Sequence, residues 1–293
     1  MYDIETIYEA ENISHAVKLL EEHPEAQIIA GGSDMLIEIR EGKKAGCTLV
    51  SIQKLEELRP ISICENGDLR IGALATFSQI AKDPVIHKYL PVLAEAAELV
   101  GGPQLRNIAT IGGNVCNGVT SADSASTLMA YDAVMEYLGP KGVRLVPIEE
   151  HYVSAGKTSL AHDEVLTAII IPQKSHEGSF GHYIKYCPRN AMDIANLGCS
   201  VNVRLSGDKK TIETMRVAFG VAGPVPMRSK SAEKAASGKP LCTAAIEKAA
   251  QAVIGDINPR TSWRATKEFR LHLALELVKR AALEAIKKAG GSI

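Results

Sequence analysis

The sequence predicts an α+β chain: two small α/β units, then a three-stranded antiparallel sheet with a helix bundle. Three observations carry this reading. Short apolar runs deliver two glycine pairs, Gly31-Gly32 and Gly112-Gly113. Three strand-like runs, 180–186, 195–205 and 212–221, follow one another with turn residues between them. Beyond them, apolar positions recur at helical spacing as far as Lys288. A chain of 293 residues has room for two or three compact units.

Taken in order, Asn12 caps a helix whose apolar positions Ile13, Ala16, Val17 and Leu20 share one face and which ends near Pro24. Residues 26–30 form a strand that delivers the first glycine pair, and 48–52 form another. This βαβ-like unit, to about residue 58, is too small to stand alone. The second unit opens near Ile61 with a strand at 69–73 and a short helix at 77–81 closed by Asp83-Pro84. An amphipathic helix at 90–100 stops at Gly101-Gly102-Pro103, placing Gln104 and Arg106 on a loop before the second pair. A helix then runs from Asp123 toward Tyr131, and strands are expected at 133–137, 143–146 and 165–171. The polar run 172–179 marks a boundary, dividing the chain into 1–176 (about 1–58 and 59–176) and 177–293. In the C-terminal part Asp208-Lys209 forms a turn, and helices are expected near 232–236, 243–254 and 263–288.

The glycine pairs carry the chemistry. Tandem glycines admit positive φ and close backbone approach, and successive amide N–H groups in such turns make a concavity for anions. Two such turns suggest a dinucleotide pyrophosphate gripped from both sides. Neither G-x-G-x-x-G after an N-terminal strand nor G-x-x-x-x-G-K-[ST] occurs. What remains are flavin folds that cradle the cofactor between two subdomains.

Composition narrows the rest. A net charge of −1 with interspersed signs and 4% aromatic residues argue against nucleic acid and against an anionic membrane. Six cysteines, at 47, 64, 116, 187, 199 and 242, make no C-x-x-C and no iron–sulfur run. They read as reduced, mostly buried thiols, with no metal or cluster held by this chain. With no signal-like start and no membrane-length apolar run, the expected location is cytoplasmic.

Residues 29–34 (Ile-Ala-Gly-Gly-Ser-Asp), 109–114 (Ala-Thr-Ile-Gly-Gly-Asn), Ser121-Ala122-Asp123-Ser124 and Tyr183-Ile184-Lys185-Tyr186 resemble the flavoprotein subunits of molybdenum hydroxylases. That group includes the carbon monoxide dehydrogenase medium subunit, and the resemblance spans essentially the whole chain. Residues 117–124 and 262–273, around Trp263, are most similar to bacterial three-subunit xanthine dehydrogenase. The resemblance implies a vanillyl-alcohol-oxidase-type fold, with two α/β subdomains sandwiching non-covalent FAD and then a three-stranded sheet and helix bundle.

By the same resemblance Gln27, Ile28, Ile29, Ala30, Gly31, Gly32, Ser33 and Asp34 wrap one side of the pyrophosphate. Ala109, Thr110, Ile111, Gly112 and Gly113 wrap the other, with Asp123 near the adenosine or ribityl part. Val165 and Leu166 pack near the isoalloxazine and Lys185 contacts the cofactor. Val100 stands where animal relatives place an aromatic ring. The implied partners are a molybdopterin-binding large subunit and a 2Fe–2S small subunit, in a heterotrimer or its dimer. Electrons would pass from their clusters through FAD to NAD, with no catalytic residue in this chain.

Plainer roles compete. Asp123 and Asp34 also fit helix N-caps, Lys185 a solvated strand edge, and His151, His162 and His182 exposed structural positions. Cys116 reads as an inert thiol. The other functions that fit are a hydroxylase for nicotinate or carbon monoxide, and a non-catalytic nucleotide-binding protein.

Overall fold

The structure, a computed structural model, describes residues 2–293. Its first unit is a parallel sheet ordered Ile4–Glu9, Cys47–Ser51, Gln27–Ile29. The helix Ile13–Glu22 crosses between strands, begun by Asn12, whose side chain accepts the His15 N–H at 2.8 Å. The Ile4–Glu9 strand was not expected. Ile4, Thr6 and Tyr8 alternate with two glutamates and the exposed Ile7, so neither face reads as cleanly apolar. The core of this unit is completed by Leu74 and Val165 from beyond it, the physical reason that so small a unit holds together.

The second unit is a five-stranded sheet ordered Ile61–Ile63, Leu69–Gly72, Val165–Ile171, Val134–Gly139, Gly142–Pro147, with every pairing antiparallel. Helices Pro91–Glu98 and Asp123–Ala130 share its core, pack on each other and also lie against the C-terminal strands. Two expectations fail nearby. Gln104 and Arg106 lie in a helix, Pro103–Ile108, and not on a loop. The preceding helix ends at Glu98, with Leu99 as its C-cap and Gly101 (φ +48°) beyond it, and Pro103 then starts a new one, because proline's fixed φ suits a first helical position. Asp83 likewise opens a helix, Pro84–Tyr89, accepting the Val85 and Ile86 N–H groups at 2.8 and 3.1 Å.

The C-terminal sheet runs Phe180–Tyr186, Leu197–Leu205, Thr211–Gly220, all antiparallel. Two-residue strands, Met227–Arg228 and Lys239–Pro240, extend the three expected strands. The helices Lys230–Ala236, Thr243–Ala252 and Lys267–Lys288 close a separate core over it. The last helix begins four residues later than expected, because Thr266 caps it by accepting the Phe269 N–H at 3.2 Å. Trp263 therefore lies in a turn outside the helix.

Candidate cofactor-binding cleft

A cleft of about 970 Å³ separates the first two units, at the upper end of the range for ligand pockets. The C-terminal part closes one rim of it with Met192, Asp193 and Ile194. On one wall the chain leaves the Gln27–Ile29 strand and turns through Gly31 and Gly32 into the helix Met35–Arg40. Both glycines are required. A Cβ on Gly31 would overlap the Ile108 carbonyl oxygen, and Gly32 sits at φ +72°. Among the described residues the backbone N–H groups of Gly31, Gly32, Ser33 and Asp34 have no acceptor. Four successive unpaired amides on a cleft wall form an anion-binding concavity.

The second glycine pair is built differently, which corrects the reading of it as a turn. Gly112 and Gly113 lie in the helix Ile111–Cys116, with no positive φ. The amides at its start are already used: Ile111 N–H donates to Ala75 O (3.0 Å), Gly112 N–H to Ala73 O (2.9 Å) and Gly113 N–H to Thr110 Oγ1 (3.1 Å). Gly112 is small because a Cβ would strike the Ala73 backbone and methyl. Gly113 lines the cleft, and a Cβ there would meet one atom, Thr110 Oγ1, at 3.1 Å.

Of the other expected residues, Ile28, Ile29, Ala30, Ala109, Thr110, Asp123, Val165 and Leu166 line the cleft, and Val100 adds an aliphatic wall. Gln27, Ile111 and Lys185 do not line it. Gln27 lies one residue before the cleft lining begins, in the strand that feeds the turn, and Ile111 is fully buried in the second core. Lys185 is neither a solvated edge residue nor a lining residue, because its side chain is 5% exposed. Its Nζ donates to Asp123 Oδ2 at 2.8 Å and to Leu99 O at 2.9 Å. Tyr183 donates its hydroxyl proton to Asp123 Oδ1 at 2.9 Å. Asp123 is thus no N-cap, and Ala122 occupies that position. Burial raises its carboxyl above the usual range, against the opposing pull of Lys185 and Tyr183.

Asp34 is not a side-chain cap either. It accepts from Asn117 Nδ2 at 2.8 Å across the cleft, and burial raises its carboxyl despite that bond. Burial pushes the Cys116 thiol up to about 12, so it stays protonated. His151 is fully buried rather than exposed, bonded to the Tyr137 hydroxyl and, at 3.0 Å, to Val115 O. The rim from Met192 to Ile194 and the Asp34–Asn117 bridge escaped sequence reasoning. The rim comes from a different domain, and the positive φ of Met192 that turns its loop is invisible without coordinates. Among the described residues no cluster of His, Cys, Asp and Glu could hold a metal, and no helix is long and apolar enough to cross a membrane.

The donor set fits FAD: unpaired amides for a pyrophosphate, a buried carboxylate for hydroxyls and aliphatic walls for a flat ring. Residues 2–174 match the family described as the FAD binding domain in molybdopterin dehydrogenase, and 182–285 match the CO dehydrogenase flavoprotein C-terminal domain. The chain is 43% identical to the xanthine dehydrogenase FAD-binding subunit of Escherichia coli O157:H7, over the full length of both. It is 32% identical to the nicotinate dehydrogenase FAD-subunit of Eubacterium barkeri, covering 83% of this chain and 80% of the relative. A solved carbon monoxide dehydrogenase from Hydrogenophaga pseudoflava superposes with a TM-score of 0.92 at 30% identity, covering 99% of each chain. By fold, cleft and full-length similarity, the chain belongs to the family of FAD-binding oxidoreductase subunits of molybdenum hydroxylases.

Proposed function

We propose that this chain is the electron-transfer subunit of a xanthine dehydrogenase, taking electrons from partner iron–sulfur clusters and delivering them to NAD. The observation that carries the reading is the end-to-end 43% identity with a xanthine dehydrogenase subunit of the same length. In this proposal the molybdopterin and the 2Fe–2S clusters belong to a large and a small partner subunit, in a heterotrimer or its dimer. Residues 1–176 hold the cofactor, and 177–293 support it from the Met192–Ile194 rim. FAD bound in the cleft would supply the junction between one-electron carriers and a hydride acceptor.

The chain's own residues bind and orient. The Gly31–Asp34 amides offset phosphate charge, and Asp123, fixed by Lys185 and Tyr183, accepts from cofactor hydroxyls. Ile28, Leu74, Val165 and Leu166 exclude water from the ring. Lys185 acts through Asp123 and is a positioning residue. The test is co-expression with the two partner subunits, acid release of the cofactor, and assay of purine-dependent NAD reduction. FAD in the supernatant and activity confined to the assembled complex are expected. FMN, pelleted flavin, or xanthine turnover by this chain alone would refute the proposal. Reduction by nicotinate in place of purines would move it to another hydroxylase, the reading that the Eubacterium relative favours.

A further inference from the structure

The single tryptophan of the chain, Trp263, is 85% exposed. The segment carrying it is nonetheless firmly held. Ser262 N–H donates to Ala265 O at 2.9 Å, closing a tight turn. Beneath the turn lies Arg270, a buried cation with no carboxylate partner among the described residues. Its guanidinium donates to Asn196 O (3.0 Å), to Ser262 Oγ (2.9 Å) and to Arg260 O. Arg264 stacks over the indole, 4.1 Å from its centroid. The turn that presents this large aromatic group is therefore ordered before any partner arrives, which lowers the ordering cost of binding.

The charge around it is nearly all of one sign. Arg260 and Arg264 form no ion pair among the described residues, and Lys267 donates to Asn258 Oδ1 at 2.9 Å. Glu268, the acidic neighbour, pairs with none of them. Arg270 bonds both Ser262 Oγ and Asn196 O, which brings the Trp263 turn beside the segment carrying the exposed Ile194, and the neighbouring Phe269 stands edge-on to Tyr186, ring centroids 5.7 Å apart. Ile194 also lines the cofactor cleft, so the patch reaches its rim.

We propose that this patch docks the iron–sulfur partner subunit, through an acidic face with an apolar recess that receives Trp263. The inference rests on the hydroxylase reading above. Carboxylates on the partner would complement the unpaired arginines and steer the encounter. Continuity with the cleft rim favours the subunit that hands over electrons rather than the one that binds purine.

The experiment is co-expression of all three subunits with an affinity tag on this chain. The variant Trp263→Ala/Arg264→Glu should retain the small subunit at least about tenfold less than wild type, the loss typical of an interface tryptophan. Its FAD content and melting temperature should match wild type, as should retention by Val143→Ala, an exposed apolar control. If the double variant misfolds, Arg260→Glu decides the matter, because the backbone carbonyl that Arg270 uses is unchanged. Wild-type association should weaken with added salt, and Arg260→Glu should flatten that dependence. Undiminished small-subunit retention, or loss of the large subunit alone, overturns the inference and leaves the hydroxylase reading standing. A wild-type chain that retains neither subunit overturns both.

Discussion

Asp34 and Asn117 meet across the cofactor cleft, with Asn117 Nδ2 donating to Asp34 Oδ2 at 2.8 Å. Residues 83 positions apart in sequence thus tie the first glycine turn to the end of the Ile111–Cys116 helix. The bond adds to the shared core and to the contact of His162 Nε2 with Leu20 O, at 3.2 Å, in joining the two units.

Burial raises the Asp34 carboxyl above its ordinary value, the Asn117 hydrogen bond opposes this, and Glu38 adds to it. The folded chain therefore holds this proton at higher pH than the unfolded chain does. The resulting stability is complete below the unfolded value and is lost as pH rises through the folded one. Asp34→Asn should remove that component and leave the cofactor-free chain at least as stable as wild type at neutral pH. Urea unfolding from mildly acid to neutral pH checks this. A wild-type chain that gains stability through that window relative to Asp34→Asn would contradict the sign.

The glycines separate folding from cofactor retention. Gly113→Ala adds a methyl at a residue that lines the cleft and removes a helical glycine, a change worth about 0.5–1 kcal/mol in favour of the helix. The cofactor-free chain should be as stable as wild type, while its FAD content after gel filtration falls. Gly31→Ala drives its methyl into the Ile108 carbonyl and should cost about 1–3 kcal/mol through overpacking. Equal stability of the two variants would show that the Gly31 wall yields freely.

Thiol chemistry gives a third check. Cys199 is fully buried and pushed well above the ordinary thiol value, whereas Cys242 is exposed. At mildly alkaline pH an alkylating agent should modify Cys242 quickly, and Cys199 only after denaturation, as peptide mass spectrometry would reveal. Fast modification of Cys199 in the folded chain would mean that its surroundings open.

The strands, the main helices and most of the cleft wall were legible because each rests on a local signal: Asn12 before an apolar face, a strand feeding Gly31-Gly32, a proline after Ile171. The second glycine pair misled because Gly-Gly reads as a turn. Here Gly112 is small so that a helix can press on Ala73, a tertiary fact that no neighbour in sequence announces. The same holds for Lys185, whose carboxylate partner lies 62 residues away. Its alternating strand resembles a solvated edge until the helix Pro91–Glu98 is packed against it and Asp123 bonds Lys185. Trp263 was read as helical because the pattern continued upstream, and only the Thr266 cap and the Arg270 clamp show why the helix starts later.

The Lys185–Asp123 pair tests the site's central assumption. Both side chains are almost out of water, 5% and 9% exposed, and Lys185 is the only cation paired with Asp123 among the described residues. Removing one partner of a buried pair leaves an uncompensated charge, so Lys185→Met should cost about 3–5 kcal/mol at neutral pH. Burial already raises the Asp123 carboxyl, and loss of the lysine raises it further. The penalty should therefore shrink as pH falls and the carboxyl takes a proton, and grow again as pH rises through its folded value. The double variant Asp123→Asn/Lys185→Met removes the stranded charge and should recover much of the stability but not the cofactor affinity, since the oriented carboxylate is gone. Urea unfolding at two pH values, with FAD content measured alongside, reads both effects. A penalty independent of pH would show that Asp123 is not the charge Lys185 holds in place, and full FAD retention by the double variant would remove Asp123 from the binding site.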